Sequence, residues 1–134
     1  MHRSKLSTFV IDCQVEDLEA ATRFWSQALG RPAAPPEPED PNYRQLRAAP
    51  SEPQVLLQQV SHPSRIHLDI EADDLEAEAK RLEALGARRV GFVKRWWVME
   101  APTGQRFCVV RPQRADLATH GNVWNDDTPG PAGG

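Results

Sequence analysis

The sequence predicts an α+β protein built from two tandem βαβββ modules. Two stretches, "FVIDCQVEDLE" at 9–19 and "IHLDIEADDLE" at 66–76, share one order: an apolar run holding an Asp, then Asp-Leu-Glu opening a helical pattern. Each helical pattern closes near a glycine, Gly30 or Gly86, and short strand patterns follow it. One module of this size cannot bury both its helix stripe and its sheet, whereas two modules joined through their sheets can.

In the first module, residues 6–13 are rich in β-branched and aromatic residues and predict a strand. Apolar residues at helical spacing predict a helix over 16–29. Five prolines within 31–42 predict a loop, because proline lacks a backbone N–H and fixes φ. The segments 43–49 and 54–60 are short strand candidates.

The second module repeats this order. Residues 65–70 predict a strand, and Asp73 with Glu76 forms a capping box at the start of the next helix. Three further strands are predicted at 87–93, 96–100 and 105–110. The polar tail, 113–134, is expected to be partly disordered, with 128–134 disordered and Val123 and Trp124 as its docking residues.

Composition excludes several classes of function. Hydrophobic residues make up 40% and charged residues 26% of the 134 residues, with a net charge of −3. This mild charge gives no basic footprint for nucleic acid and no polybasic patch for a membrane. The N-terminus has no long apolar run typical of a secretion signal. A cytoplasmic location is therefore expected.

Three segments carry a resemblance to a known superfamily: "IDCQVEDLEAATRFWSQALGRP", "RIHLDIEADDLEAEAKRLEALGARRV" and "WWVMEAPTGQRFCVV". They resemble the vicinal-oxygen-chelate superfamily of glyoxalase I, extradiol dioxygenases and bleomycin-resistance proteins, and look closest to bacterial glyoxalase-like domain proteins. The resemblance implies a single domain over 1–134, with modules at about 6–60 and 64–112. It also implies a cup-shaped mixed sheet with helices outside, and a homodimer.

Strand alternation assigns faces to 65–70. Ile66, Leu68 and Ile70 share one face, which we expect to pack on the helix. His67 and Asp69 share the other face and are expected to line the cup as catalytic candidates.

The last strand adds the candidate substrate-binding residues. Phe107 should pack on the helix, so Arg106 and Cys108 should line the cup. If "APTG" is a four-residue hairpin loop, Trp97 lies opposite Cys108 and Met99 lies opposite Arg106. An aromatic wall with a few polar groups is typical of a small-ligand site.

The resemblance also implies a divalent metal, held by His or Gln on the early strand of each module and Glu on the late strand. His67 occupies the early position of the second module, but Cys108 occupies its late position and Val10 the early position of the first module. Gln58 is the best candidate for the remaining position, with Gln59 next. One good ligand falls short of the three that a catalytic metal normally needs, so a cofactor is unknown and a metal disfavoured. A Cys–His pair would hold a soft metal such as zinc if Asp69 helped.

These residues leave three hypotheses open. The first is an enzyme of lyase, isomerase or dioxygenase type, with His67 as general base or metal ligand, Asp69 orienting it and Arg106 binding a substrate oxygen. The second is a non-catalytic binding or sequestering protein of bleomycin-resistance type. The third is an accessory interaction domain. The missing ligands favour a glyoxalase-like protein that binds a small oxygenated molecule in the cup and whose activity, if any, does not follow the usual three- or four-ligand metal site.

Overall fold

A computed structural model describes residues 1–126 and contains eight strands and three helices in that range. The chain divides into two compact units. The first unit is Thr8–His67, and the second is Met1–Ser7 together with Leu68 and the residues after it. The elements are β1 (His2–Cys13), α1 (Leu18–Leu29), β2 (Tyr43–Leu46), β3 (Gln54–Gln59), β4 (Arg65–Ala72), α2 (Leu75–Ala84), β5 (Arg88–Val93), β6 (Trp96–Glu100), β7 (Arg106–Val110), α3 (Leu117–His120) and β8 (Asn122–Trp124). The predicted α+β class is confirmed.

The first unit packs α1 against three strands in the order β2-β3-β1. β3 runs parallel to β1 and antiparallel to β2. α1 begins at Asp17, whose carboxylate accepts from the Ala20 N–H at 3.1 Å, and ends at Gly30 with a φ of +66°. A cap of this kind satisfies a backbone donor that the first helical turn leaves unpaired. The buried core of this unit consists of Ile11, Cys13, Leu18, Leu46, Val55 and Leu57.

The first unit departs from the predicted βαβββ order. After α1 it has one isolated bridge, Ala33 with Leu46, before β2 and β3. The proline-rich loop explains the difference, because prolines on both sides of Ala33 cannot donate to a ladder. Only a single bridging residue therefore stands where the second unit has a full strand.

The second unit contains the complete order β4-α2-β5-β6-β7. Its strands are arranged β4-β7-β6-β5, with β7 parallel to β4 and antiparallel to β6. The N-cap of α2 is Asp74, which accepts from the Ala77 N–H at 3.0 Å, so the predicted cap at Asp73 is one residue early. Asp73 accepts instead from the backbone N–H of Arg3. The core consists of Ala72, Ala79, Leu82, Ala87, Met99, Phe107 and Val109.

The C-terminal segment extends β1 beyond its predicted start. β8 pairs antiparallel with residues 2–4, so the strand begins at His2 rather than at residue 6. Trp124 donates its indole N–H to the Ser4 hydroxyl at 2.8 Å, and the Arg81 guanidinium lies 3.9 Å from its ring centroid. Trp124 therefore docks the tail, whereas Val123 is exposed. The predicted disorder of 128–134 lies outside the described residues.

Within residues 1–126, the helices are too short or too polar to cross a bilayer. The longest, α1, has 12 residues, whereas a spanning helix needs about 20 apolar ones.

A buried ionic cluster joins the N-terminal strand to α2. The Glu78 side chain is fully buried, and its carboxylate receives the Arg81 guanidinium through two bonds of 2.8 Å. His2 Nε2 lies 2.7 Å from the same carboxylate. Burial alone would raise the pKa of Glu78, but the hydrogen bonds from Arg81 and His2 outweigh it and lower that pKa below its ordinary value. The ionised carboxylate therefore stabilises the folded second unit.

We predict that, in the acid range, the free energy of unfolding depends less on pH in the Glu78→Gln variant than in wild type. The pKa of Glu78 is lower in the folded chain, so its contribution is present above the unfolded pKa of about 4.5 and is lost as pH falls through the folded pKa. At pH 7 the variant should lose about 1.5–3 kcal/mol, the worth of hydrogen bonds to a charged group. Urea unfolding from pH 7 to pH 3 measures both effects. The exposed loop substitution Glu37→Gln is the control, and an equal acid slope in wild type and Glu78→Gln would contradict the assignment.

Candidate functional site

Strand β4 presents two chemically different faces. Ile70 packs on the core of the second unit, as expected for the apolar face. Ile66 and Leu68 do not, since they are 60% and 41% exposed, so the expectation that all three cover the helix is wrong. His67 and Asp69 alternate with them on the opposite face and are half-buried.

His67 is held by a buried carboxylate of the first unit. Its Nδ1 lies 2.8 Å from Asp12 Oδ2, and the Asp12 side chain is only 1% exposed. A carboxylate is an acceptor only, so the proton of this bond sits on Nδ1 of the ring. In the neutral imidazole the lone pair is then on Nε2, which is the nitrogen able to take a proton or bind a metal.

Asp12 is also approached by two other cationic or imidazole groups. Arg65 Nε lies 3.4 Å and His62 Nε2 lies 4.0 Å from Asp12 Oδ2. Such partners offset the cost of keeping a carboxylate out of water. Burial raises the pKa of the neighbouring thiol, Cys13, and the negative charge of Asp12 raises it further. Cys13 is therefore an unreactive core residue.

Asp69 and Cys108 are direct partners in the ladder between β4 and β7. Within the second unit, a carboxylate and a thiol therefore lie side by side on neighbouring strands. His67 lies in the first unit, and its metal-ligand role stays a prediction.

The predicted placement of Trp97 and Met99 is wrong. The ladder pairs Trp97 with Val109 and Met99 with Phe107, not with Cys108 and Arg106. The loop has five residues, 101–105, because Glu100 pairs with Arg106 and the Ala101 N–H bonds to the Gln105 carbonyl. One extra loop residue exchanges the two faces of a strand. Both side chains consequently pack on the core of the second unit, where Met99 is fully buried.

Arg106 and Gln58 have polar partners of their own. Arg106 lies on β7 two residues before Cys108, and its Nε donates to Glu100 at 3.2 Å. The Gln58 amide donates to the Tyr43 hydroxyl at 2.9 Å, and Gln58 is the ladder partner of Asp12. Val98 and Glu100, rather than Trp97 and Met99, share the face of β7 that carries Cys108.

Sequence reasoning missed the role of Asp12. The internal repeat aligns Asp12 with Asp69, and this equivalence favours a structural acceptor of backbone N–H groups. The available signal was its place in an apolar strand, "FVIDC", where a buried carboxylate demands a cationic or donor partner. The identity of that partner depends on strand pairing, which local patterns do not specify.

A family model of the glyoxalase-like domain matches residues 8–110, most of the chain. The chain belongs to the glyoxalase-like domain family. That span contains strands β3, β4 and β7 and every candidate residue of the site. The match confirms the predicted membership of the vicinal-oxygen-chelate superfamily.

Solved structures show the same fold. Methylmalonyl-CoA epimerase from Mycobacterium tuberculosis is 22% identical with a TM-score of 0.57, over 85% of this chain and 91% of that one. A glyoxalase/bleomycin resistance protein/dioxygenase superfamily member from Vibrio splendidus 12B01 is 17% identical with a TM-score of 0.52, over 79% and 98%. Streptomyces coelicolor methylmalonyl-CoA epimerase is 14% identical with a TM-score of 0.54, over 79% and 96%. At these identities the likeness shows the fold alone. Among curated proteins, none matches this glyoxalase-like domain significantly.

We predict that the two cysteines react at very different rates. Cys13 is 5% exposed with a raised pKa, whereas Cys108 is half-buried on the polar face of β7. Burial limits access of the reagent and the raised pKa lowers the thiolate fraction, so Cys13 should react at least about tenfold more slowly than Cys108. Iodoacetamide labelling of Cys13→Ser and Cys108→Ser, each with one remaining thiol, measures the two rates. Equal rates in the folded proteins would contradict the burial of Cys13.

Proposed function

We propose that this glyoxalase-like domain binds a small oxygenated organic molecule at His67, the β4 residue that is held by Asp12. The observation that supports it best is the 2.8 Å bond from His67 Nδ1 to the buried Asp12 carboxylate. This bond makes Nε2 an electron-pair donor with a fixed direction. A nitrogen of this kind accepts a proton from a bound molecule or holds a metal ion that contacts its oxygens. Either role, proton acceptor or metal ligand, would place the oxygens of the bound molecule near Nε2.

The chemistry that fits such a site is an isomerase- or lyase-type rearrangement next to a carbonyl group. Two of the structural relatives are named methylmalonyl-CoA epimerases, and epimerisation of such a thioester moves a proton at the carbon beside its carbonyl. These relatives supply a reference probe, not a substrate assignment. Dioxygenase chemistry occurs in the same superfamily and would need a redox metal at the site.

A non-catalytic binding protein of bleomycin-resistance type is the second candidate. It is favoured by Val10, which is 1% exposed and occupies the position where the resemblance implies a first metal ligand. Arg106 also pairs with Glu100, so its charge is partly satisfied within the second unit. Such a protein would bind the same oxygenated molecules without turning them over.

We predict that small oxygenated molecules bind at His67. Ligand-observed NMR would screen small carboxylates, hydroxy ketones and acyl thioesters, including methylmalonyl-CoA. Hits should bind His67→Ala at least about tenfold more weakly, because about 1.4 kcal/mol of hydrogen bonding is lost. His120→Ala, which removes an exposed histidine of α3, is the matched control and should bind like wild type. The proposal fails if no molecule of the panel distinguishes the two variants.

The Asp12→Asn variant tests how His67 is positioned. An amide is able to turn its NH₂ group towards Nδ1, which would move the ring proton to Nε2 and remove the electron pair from the ligand side. Binding should weaken although His67 remains in place. Deuterium exchange at the carbon beside the carbonyl of each hit then separates the two candidates. Exchange supports the isomerase-type reaction, and binding without exchange supports the sequestering protein.

The homodimer implied by the resemblance stays a prediction, which light scattering would test. Ile66 and Phe92, at 60% and 55% exposed, are the apolar side chains that a second copy would be expected to cover. The cytoplasmic location also stays a prediction.

A further inference from the structure

The side chain of His2 lies between two carboxylates of the second unit. Its Nε2 is 2.7 Å from Glu78 Oε1, and its Nδ1 is hydrogen-bonded to Asp126 Oδ1. The ring is only 1% exposed, so protein groups and not water are the partners of both ring nitrogens. His2 belongs to β1 and Glu78 to α2, whereas Asp126 follows β8. One imidazole therefore connects three parts of this unit.

The geometry determines how many protons the ring carries. An ionised carboxylate only accepts hydrogen bonds, so each of the two requires an N–H of the imidazole. The hydrogen bond from the Met1 ammonium lowers the pKa of Asp126 below its ordinary value. Burial would raise the pKa of Glu78, but the hydrogen bonds from Arg81 and His2 outweigh it and lower that pKa. Both groups are therefore ionised near neutral pH, and the ring between them is an imidazolium with a proton on each nitrogen.

The charged groups around the ring make its two sides unequal. From α2, the Arg81 guanidinium also binds the fully buried Glu78 carboxylate. From the start of the chain, the Met1 ammonium lies 2.9 Å from Asp126 Oδ2, and the Asp126 side chain is 31% exposed. A buried carboxylate loses more than an exposed one when a donor is withdrawn, because water replaces the donor only at the exposed one. A ring that loses one proton should therefore keep its N–H towards Glu78 and turn an electron pair towards Asp126.

Besides the bond to His2, the segment 122–126 is held by a short strand and one side chain. β8 has three residues, which pair with residues 2–4 of β1. The Trp124 indole N–H donates to the Ser4 hydroxyl at 2.8 Å. A strand of this length is weakly held by its ladder alone, so a charge-assisted hydrogen bond at its end contributes a large share of its attachment.

We propose that His2 is a pH-dependent latch, in which the doubly protonated ring holds the segment 122–126 against β1 and α2, and loss of one ring proton releases its Asp126 end. The attachment is present while the imidazolium persists and weakens as rising pH removes the proton. The latch lies entirely within the second unit and does not depend on the ligand site proposed at His67.

Hydrogen exchange of the backbone amides of β8 tests the latch in the full chain. Each rate is divided by the rate of an unstructured peptide at the same pH, which gives a protection factor. In wild type, the protection of 122–124 should fall at least about tenfold between about pH 5.5 and pH 9.5. ¹⁵N NMR of labelled histidine should show both nitrogens of His2 protonated at the low end, with one proton lost over the pH range in which protection falls.

Three variants assign the pH dependence. His2→Gln has a donor for only one carboxylate and carries no charge, so β8 should be at least about tenfold less protected at pH 6, with no further change as pH rises. The amide of Asp126→Asn is able to accept from Nδ1–H or to donate to the electron pair on Nδ1, so β8 should stay protected over the whole range. His120→Gln removes the histidine nearest to β8 in the sequence and is the matched control, which should behave like wild type.

Circular dichroism checks that each variant is folded, and Asp126→Asn tests the latch even if His2→Gln does not fold. Wild-type protection that does not change with pH would overturn the proposal. A pH dependence that persists in His2→Gln, or that disappears in His120→Gln, would overturn it as well.

Discussion

The buried hydrogen bond between Asp12 and His67 is the constraint on which the site depends. A carboxylate that is 1% exposed must be compensated where it lies, because the protein interior solvates charge poorly. His67 at 2.8 Å and Arg65 at 3.4 Å supply that compensation at one oxygen, Oδ2. Because the buried Asp12 carboxylate needs a hydrogen-bond donor, it favours one tautomer and one orientation of the His67 imidazole. The orientation of Nε2 is a consequence of how Asp12 is accommodated.

Two buried carboxylates show how structural and functional roles differ. Both oxygens of Glu78 receive hydrogen bonds, from His2 and Arg81, and this cluster fixes the N-terminal strand to α2. Asp12 concentrates its partners on Oδ2, and its Oδ1 has no hydrogen-bond partner in residues 1–126. A fully satisfied carboxylate stabilises the fold and does little else. The Asp12 carboxylate instead bonds to one histidine, His67, and orients the far nitrogen of that ring, Nε2.

Local patterns predicted what depends on local geometry. The alternation along β4 placed His67 and Asp69 on one face, and the helical spacing located α1 with its glycine at residue 30. The class, α+β, and the superfamily followed from these patterns and the resemblance. The predictions were wrong where a shift of one residue changes the face on which a side chain lies. The loop before β7 is one residue longer than expected, and this alone moved Trp97 from the ligand face to the core.

The partner of Asp12 could not be predicted from the sequence, for a different reason. Asp12 and His67 are 55 residues apart, and nothing in either strand specifies the other. The terminal segment gives a second case, because residues 2–4 of β1 pair with β8, and the N-terminal sequence does not indicate that partner. Pairing between distant strands is set by the summed packing of whole elements, so it is the part of a fold that single-sequence reasoning determines least.

The internal repeat shows how equivalent positions take different roles in the two halves. Val10 aligns with His67 and Asp12 with Asp69, so the two halves offer the same two positions on the same face of a strand. In the first unit the earlier position is apolar and 1% exposed, and it contributes packing instead of a ligand. The later position keeps its carboxylate but directs it to the His67 ring. Each half of the repeat therefore contributes one member of the Asp12–His67 pair, the first half its later position and the second half its earlier one.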